Sequence, residues 1–395
     1  MTAPAGVRSV TGEIKTKIPG VTFGSDFPRL AQLTDHMAIV RSFTTGDGNH
    51  DIKPVVGRDT FGASVGSIYS RIAGTSHPVT GIPTNISLFP RAVHPDSQQA
   101  QAAFGNFRAT GPLGGAFAPF APGEGGPFQQ DMKLNLSLER LADRKALLSN
   151  VDQLKRDLEK HQSGSTSNAY RNQAFDVLLG GVGKAFDLSQ EDPKTIARYD
   201  TEPLVDPNSI RERWNNHKYY KDNAKSLGKL MLLARRLCEA GCGFVTVTTN
   251  FVWDMHADVN NATMLEGMSY LGGPLDYAVS AFLEDVAARG LSDKILLVMC
   301  GEMGRTPKLN ERGGRDHWGR LAPLMLAGGG LKMGQVIGQS DAHAAEPATN
   351  PVTIRNLLST IMHTAFDVGQ LRVERGLPRE ISQEMTSWEP IGELL

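Results

Sequence analysis

An α/β fold, with a mostly parallel sheet sandwiched by helices and carrying a helical insertion, is what this sequence predicts. Three observations point there: amphipathic helical runs alternate with short apolar runs in the second half, Gly241 and Gly290 stop two of the helical runs, and the apolar runs are continuous enough to be buried on both faces. The chain has 395 residues, 42 of them Gly, so it is long enough for a sizeable core and rich in turns.

Taken in order, Met37 to Phe43 reads as a short buried strand ending in the polar segment Thr44 to His50, and Thr84 to Phe89 reads as a second. From about Ala92 to Gln130, Gly, Pro, Ala and Phe crowd together without a period, which predicts a long surface-hugging loop. Residues 131–235 carry charged, Leu-spaced patterns (Leu138, Leu141, Leu147, Leu148, Val151, Leu154), broken by Gln162 to Asn168; they predict a helical insertion with a flexible middle. From Lys225, the residues Leu227, Leu230, Met231, Ala234, Leu237 and Cys238 follow the spacing of a helix buried on one face, and Phe244 to Thr249 follows as a β-branched strand. Leu275, Ala278, Val279, Phe282 and Val286 predict the next helix, and Ile295 to Cys300 the next strand. Leu321 to Ala327 is a further strand running into the turn Gly328 to Gly330, and residues 352–366 close the fold as a helix after Pro351. Residues 20–381 are thus expected to form one domain that includes the insertion at 131–235.

Composition removes several function classes. With 41 Lys+Arg against 42 Asp+Glu there is no electrostatic footprint for nucleic acid or an anionic membrane. No apolar run reaches the length of a membrane span, and Met1 to Val10 has no apolar core of a secretory signal, so as written the chain is expected to stay in the cytoplasm. The 3 Cys cannot build a disulfide framework; Cys238 and Cys242 read as small buried hydrophobes.

In open α/β sheets ligands bind outside the carboxyl ends of the strands, and polar clusters fall there. Trp253-Asp254-Met255-His256 follows one strand; in extended geometry its acid and imidazole share a face. Gly301-Glu302-Met303-Gly304-Arg305-Thr306-Pro307 follows another, with Gly314-Arg315-Asp316-His317-Trp318 behind it, and His50 follows the first. Carboxylate and imidazole donors without thiolate suit Zn²⁺, Mn²⁺ or Fe²⁺ in a hydrolytic site, with Arg305 neutralising an oxyanion. Each string alone has a simpler account, since an isolated Asp-x-His is more often a turn or cap, and Glu302 and Arg305 can be helix-start partners. Their coincidence at consecutive strand ends, where packing would call for apolar residues, favours a site. His36, His77, His94, His161, His217, His343 and His363 have no second ligand type nearby and read as surface or satisfied core residues. Gly62-Ala63-Ser64-Val65-Gly66 matches a nucleophile elbow and allows a serine esterase using Ser64, but a helix begun near Thr60 fits the segment better. Gly180 to Lys184 lacks the positions of a phosphate loop.

The strings Val40-Arg41-Ser42, Trp253-Asp254-x-His256, Gly301-Glu302-x-Gly304-Arg305-Thr306-Pro307 and Gly314-Arg315-Asp316-His317-Trp318 resemble the bacterial domain-of-unknown-function family 1501. That family is similar in turn to the alkaline phosphatase and sulfatase superfamily, which implies an alkaline-phosphatase-like α/β fold and hydrolysis of a phosphate or sulfate ester. The resemblance implies a divalent metal, zinc or manganese first and calcium or magnesium as alternatives, held by Asp254, His256, Glu302, Asp316, His317 and His50. Arg305 would steady a small anionic ester, and Ser42, Thr44 and Thr45 are the nucleophiles that can be nominated. The Cys-x-Pro-x-Arg sulfatase signature is absent, which favours a phosphoesterase. A twin-arginine leader and a Gly-rich first strand ending in Asp are usual in the family and do not precede this start. An upstream extension carrying them would imply export; without them a non-catalytic binding or scaffold protein is the alternative.

Overall fold

A computed structural model describes residues 3–123 and 183–395. Its strands are β1 (Glu13–Lys15), β2 (Thr22–Gly24), β3 (Ala38–Val40), β4 (Asn85–Leu88), β5 (Phe244–Val247), β6 (Leu296–Cys300), β7 (Gly304–Arg305), β8 (His317–Trp318), β9 (Leu324–Gly328) and β10 (Gln335–Ile337). Period-two alternation sorts the side chains of the four-stranded sheet into two cores. Ala38, Val40, Leu324 and Leu326 face the helix Ile354–Ala365 and the C-terminal Ile391 and Leu394. Ile39, Met325 and Ala327 face the helices His217–Glu239 and Met264–Ala288, through Leu227, Met231, Phe282 and Val286.

Strand directions overturn the expected fold class. The sheet order is β10-β3-β9-β6, and only the β10–β3 pair is parallel; β3–β9 and β9–β6 are antiparallel. β4 and β5 form a separate parallel pair, and β1–β2 and β7–β8 are small antiparallel pairs, so among the described residues there is no large parallel sheet between helix layers and no alkaline-phosphatase-like architecture. The physical reason lies between Cys300 and Leu324. A parallel neighbour needs a crossover, usually a helix, and this stretch carries the short β7–β8 pair instead, so the chain returns antiparallel. Because β3 and β6 are both antiparallel to β9, they run the same way, and the segments leaving Val40 and Cys300 emerge at one edge of the sheet.

The strands and long helices expected among the described residues fall close to their segments, while β1, β2 and β10 were not expected. The first long helix begins at His217, earlier than Lys225, because Tyr220 and Ala224 add a buried turn. The next spans Met264–Ala288, capped by Thr263, whose side chain accepts from the Glu266 amide at 3.2 Å. Residues 131–182 of the expected insertion lie outside the described residues; residues 183–235 hold Gly183–Phe186, Pro193–Arg198 and most of His217–Glu239. No helix among the described residues is long and apolar enough to cross a membrane.

Ser64 is a helix cap. It precedes the helix Val65–Ala73, accepts from the Ser67 amide at 3.1 Å, shares a 2.8 Å hydrogen bond with the Ser67 hydroxyl, and is buried. No imidazole or carboxylate hydrogen-bonds to it among the described residues, so the esterase reading loses its nucleophile. Ser64→Ala is expected to lower stability by about 1 kcal/mol in urea unfolding, the usual effect of a lost cap, with wild-type protein unlabelled by a fluorophosphonate. Labelling that disappears in Ser64→Ala would restore the esterase reading.

Candidate metal centre

Three loops at the edge where β3 and β6 end supply the polar side chains. The loop after β3 is pinned to the segment after β8: the Thr45 and Gly46 amides and the Thr44 hydroxyl all donate to the Gly319 carbonyl, at 3.2, 3.0 and 3.1 Å. At Gly48 a Cβ would stand 2.9 Å from the His317 Cβ, so the missing side chain is what lets this loop close on the imidazole. The loop after β5 turns through Asn250 (φ 61°) and Phe251 (φ 59°), and leaves through Ala257 (φ 58°). Residues with side chains rarely adopt this left-handed backbone, and such strain persists where surroundings over-determine it, often at functional sites. The third loop is the β7–β8 pair, whose register sets Arg305 opposite His317, so both side chains project from one face.

His50, Asp254, His256 and His317 meet there, with one ligand atom from each lying within 4.8 Å of all the others. Asp254 is the hub. Its Oδ1 lies 2.7 Å from His256 Nε2, 3.0 Å from His317 Nε2 and 2.5 Å from Arg305 Nη1, and its Oδ2 lies 3.2 Å from His50 Nε2. The two imidazole Nε2 atoms of His256 and His317 are 2.8 Å apart. Asp254 and His256 meet across a tight turn, with the His256 amide on the Asp254 carbonyl at 3.0 Å, and not along the extended strand that the sequence suggested.

The remaining expected ligands stand behind the cluster. Glu302 Oε1 is 2.5 Å from His50 Nδ1, and its Oε2 accepts from the Ile52 amide at 2.8 Å. Asp316 Oδ1 is 3.3 Å from His256 Nδ1 and accepts from the Asn310 amide nitrogen at 3.1 Å. Two of the three imidazoles therefore present Nε2 to one point while a carboxylate backs Nδ1, the arrangement that fixes tautomer and ring orientation in metal-ligating histidines. Arg305 pairs with Asp254 and not with Glu302.

The nominated hydroxyls do not join the hydrogen bonds of the cluster. The Ser42 and Thr45 side chains are buried and their hydroxyls have no hydrogen-bond partner among the described residues, and the Thr44 hydroxyl is occupied by the Gly319 carbonyl. None of the three is hydrogen-bonded to His50, Asp254, His256 or His317. Sequence reasoning passed over Asn310, whose side chain also donates to the His256 carbonyl at 2.9 Å and accepts from the Gly314 amide at 2.9 Å, tying the two ligand strings together. The signal was an Asn three residues before Gly313-Gly314, the composition of an Asx turn. It also passed over Phe104 and Phe251, whose rings lie 4.4 and 5.9 Å from that of His50.

Electrostatics follow from this crowding. Burial alone would raise the Asp254 carboxyl, but His256, His50 and Arg305 outweigh it and hold the group far below the usual carboxylate range. Burial works against the charged form of His50 too, yet Asp254 and Glu302 prevail and raise it to about 9. His317 moves the other way: burial, with Arg305 and His50 adding, outweighs Asp254 and lowers it. The donor set fits a divalent cation: three imidazole nitrogens and one anionic carboxylate, no thiolate, partly open to solvent. Ligand atoms about 2.0–2.1 Å from a tetrahedral ion stand about 3.3–3.4 Å apart, so the present triangle of His256, His317 and Asp254 atoms needs to open by only a few tenths of an ångström.

No curated protein and no solved structure matches this sequence. A family model does, over residues 2–386, under the description protein of unknown function (DUF1501). That match takes in both ligand strings, the Arg305 hairpin and the His50 loop, and on it the chain belongs to the DUF1501 family.

Proposed function

We propose that the His50, Asp254, His256 and His317 cluster holds a divalent metal, zinc or manganese first, and hydrolyses a small anionic ester within one domain spanning residues 20–381. The observation that carries this reading is the convergence of three Nε2 atoms on one carboxylate, two of them backed by Glu302 and Asp316. The ester class comes from the similarity of the family to the alkaline phosphatase and sulfatase superfamily, and it draws no support from the sheet. A bound divalent ion supplies Lewis acidity toward a phosphoryl or sulfuryl oxygen and lowers the pKa of water. Arg305, at the cluster's edge, neutralises the remaining oxygens of the ester. Water is the attacking species in this reading, since the nominated hydroxyls make no hydrogen bond to the cluster.

The test is turnover of an aryl phosphate, a phosphodiester and an aryl sulfate by metal-loaded protein. Hydrolysis of at least one is expected, and its loss in His256→Ala and His317→Ala. No turnover of any of the three by protein carrying its metal would overturn the hydrolase. A second reading, a non-catalytic binding protein, is favoured by one contact: Arg305 Nη1 lies 2.5 Å from Asp254 Oδ1, so a guanidinium can neutralise the hub in place of an ion. It predicts a folded protein that retains no metal after dialysis.

A further inference from the structure

One side of the cluster is built from aromatic rings. Phe104 and Phe251 meet edge to face at 4.9 Å, Phe104 tilts over His50 at 4.4 Å, and Phe251 meets the same imidazole edge-on at 5.9 Å. Both phenylalanines are half-buried.

The wall is held in place at a backbone cost. Asn250 and Phe251 are consecutive left-handed residues. The Asn250 side chain accepts from the Gln101 amide at 3.0 Å and donates to the Gln99 carbonyl at 3.4 Å, while Asp222 accepts from the Gln98 amide at 2.7 Å. The Asn250 bonds lash the segment before Phe104 to the loop that carries Asp254, and the Asp222 bond ties it to the helix His217–Glu239. Gly105 (φ 147°) completes it, because a Cβ there would stand 2.6 Å from Ile52, two residues beyond His50. Strain of this kind persists where the surroundings over-determine it, often at functional sites.

We infer that Phe104 and Phe251 select the substrate's organic group, and that this group is planar and apolar: an aryl ester or one with a comparable ring. The inference rests on the anionic-ester reading of the adjoining cluster. The cluster and Arg305 take the charged end; the phenyls, which offer nothing to an anion, take the ring by edge-to-face or offset stacking.

Phenylphosphonate and methylphosphonate, whose phosphorus–carbon bonds resist hydrolysis, test it by titration calorimetry on metal-loaded full-length protein. Wild type is expected to bind the phenyl compound about tenfold more tightly. Phe104→Ala and Phe251→Ala, and the volume-conserving Phe104→Leu and Phe251→Leu, should cut that preference to about twofold or less, with methylphosphonate affinity and bound metal unchanged. Equal binding of the two compounds to wild type, or an undiminished preference in both leucine variants, overturns the wall and leaves the hydrolase standing. Binding of neither compound to protein carrying its metal removes the anionic-ester reading and the wall with it.

Discussion

Wild-type protein dialysed against zinc or manganese is expected to retain about one equivalent of metal per chain, and His256→Ala or His317→Ala less than about a tenth of that. Each substitution removes one of two Nε2 atoms that lie 2.7 and 3.0 Å from Asp254 Oδ1, leaving too few donors to hold an ion against water. Glu302→Gln separates a ligand from its support. Because Glu302 faces Nδ1 of His50, the variant should still bind metal, about 10–100-fold more weakly. Elemental analysis and competition with a chelator read both effects, and circular dichroism checks that the variants fold. Metal retained at wild-type level in both histidine variants would end the metal reading. Complete loss in Glu302→Gln would make Glu302 a ligand, as the sequence first suggested.

Arg235→Ala is expected to destabilise the fold by about 3–5 kcal/mol in urea unfolding. Arg235 is 1 % exposed and lies among Glu191, Glu239 and Asp285, with Nη1 2.7 Å from Glu239 and Nε 2.9 Å from Asp285. Tyr199 donates to Asp285 at 3.0 Å, and Arg236 and Arg289 approach Glu191 at 3.0 and 2.9 Å. Removing the central guanidinium leaves two buried carboxylates short of a partner, which costs more than the pair itself is worth. A loss below about 1 kcal/mol would show that Arg236 and Arg289 suffice. The network also sets an acid limit. Burial would raise Glu191, but Arg235 and Arg236 prevail and hold it near 2, against an ordinary 4.5. A depressed carboxylate stabilises the fold fully above its unfolded pKa, so this contribution should fade as pH falls from about 4.5 through 2. Glu191→Gln should flatten that part of the stability profile, and an unchanged slope would contradict it.

Local signals in the chain located the long helices and five of the strands, but not β1, β2, β7, β8 or β10. The three-four spacing from Leu227 to Cys238, the apolar run ending at Cys300 and the glycines at 241 and 290 act within a few residues, and the segments formed where they point. The same signals did not report that Arg235 sits inside the helix's buried surface, because its partners Glu191 and Asp285 come from other segments. Nor did they report strand direction: the stretch from Gly301 to Pro323 reads as a string of functional motifs, and only its folding into a short strand pair without a crossover helix makes β9 run antiparallel.

The candidate site divides in the same way. Residue types and strand-end positions were legible in Asp254-x-His256, Arg305, Asp316-His317 and His50, since acids and imidazoles beside glycine stand out against an apolar core. Which of them meet was decided by tertiary structure. The hub at Asp254, the support by Glu302 and Asp316, and the phenyl wall all depend on loops brought together from positions 50, 104, 254 and 317. Propensity and spacing act over a turn or two of chain, whereas a ligand set is defined by hydrogen bonds and contacts between segments far apart in sequence, and those exist only once the sheet has closed.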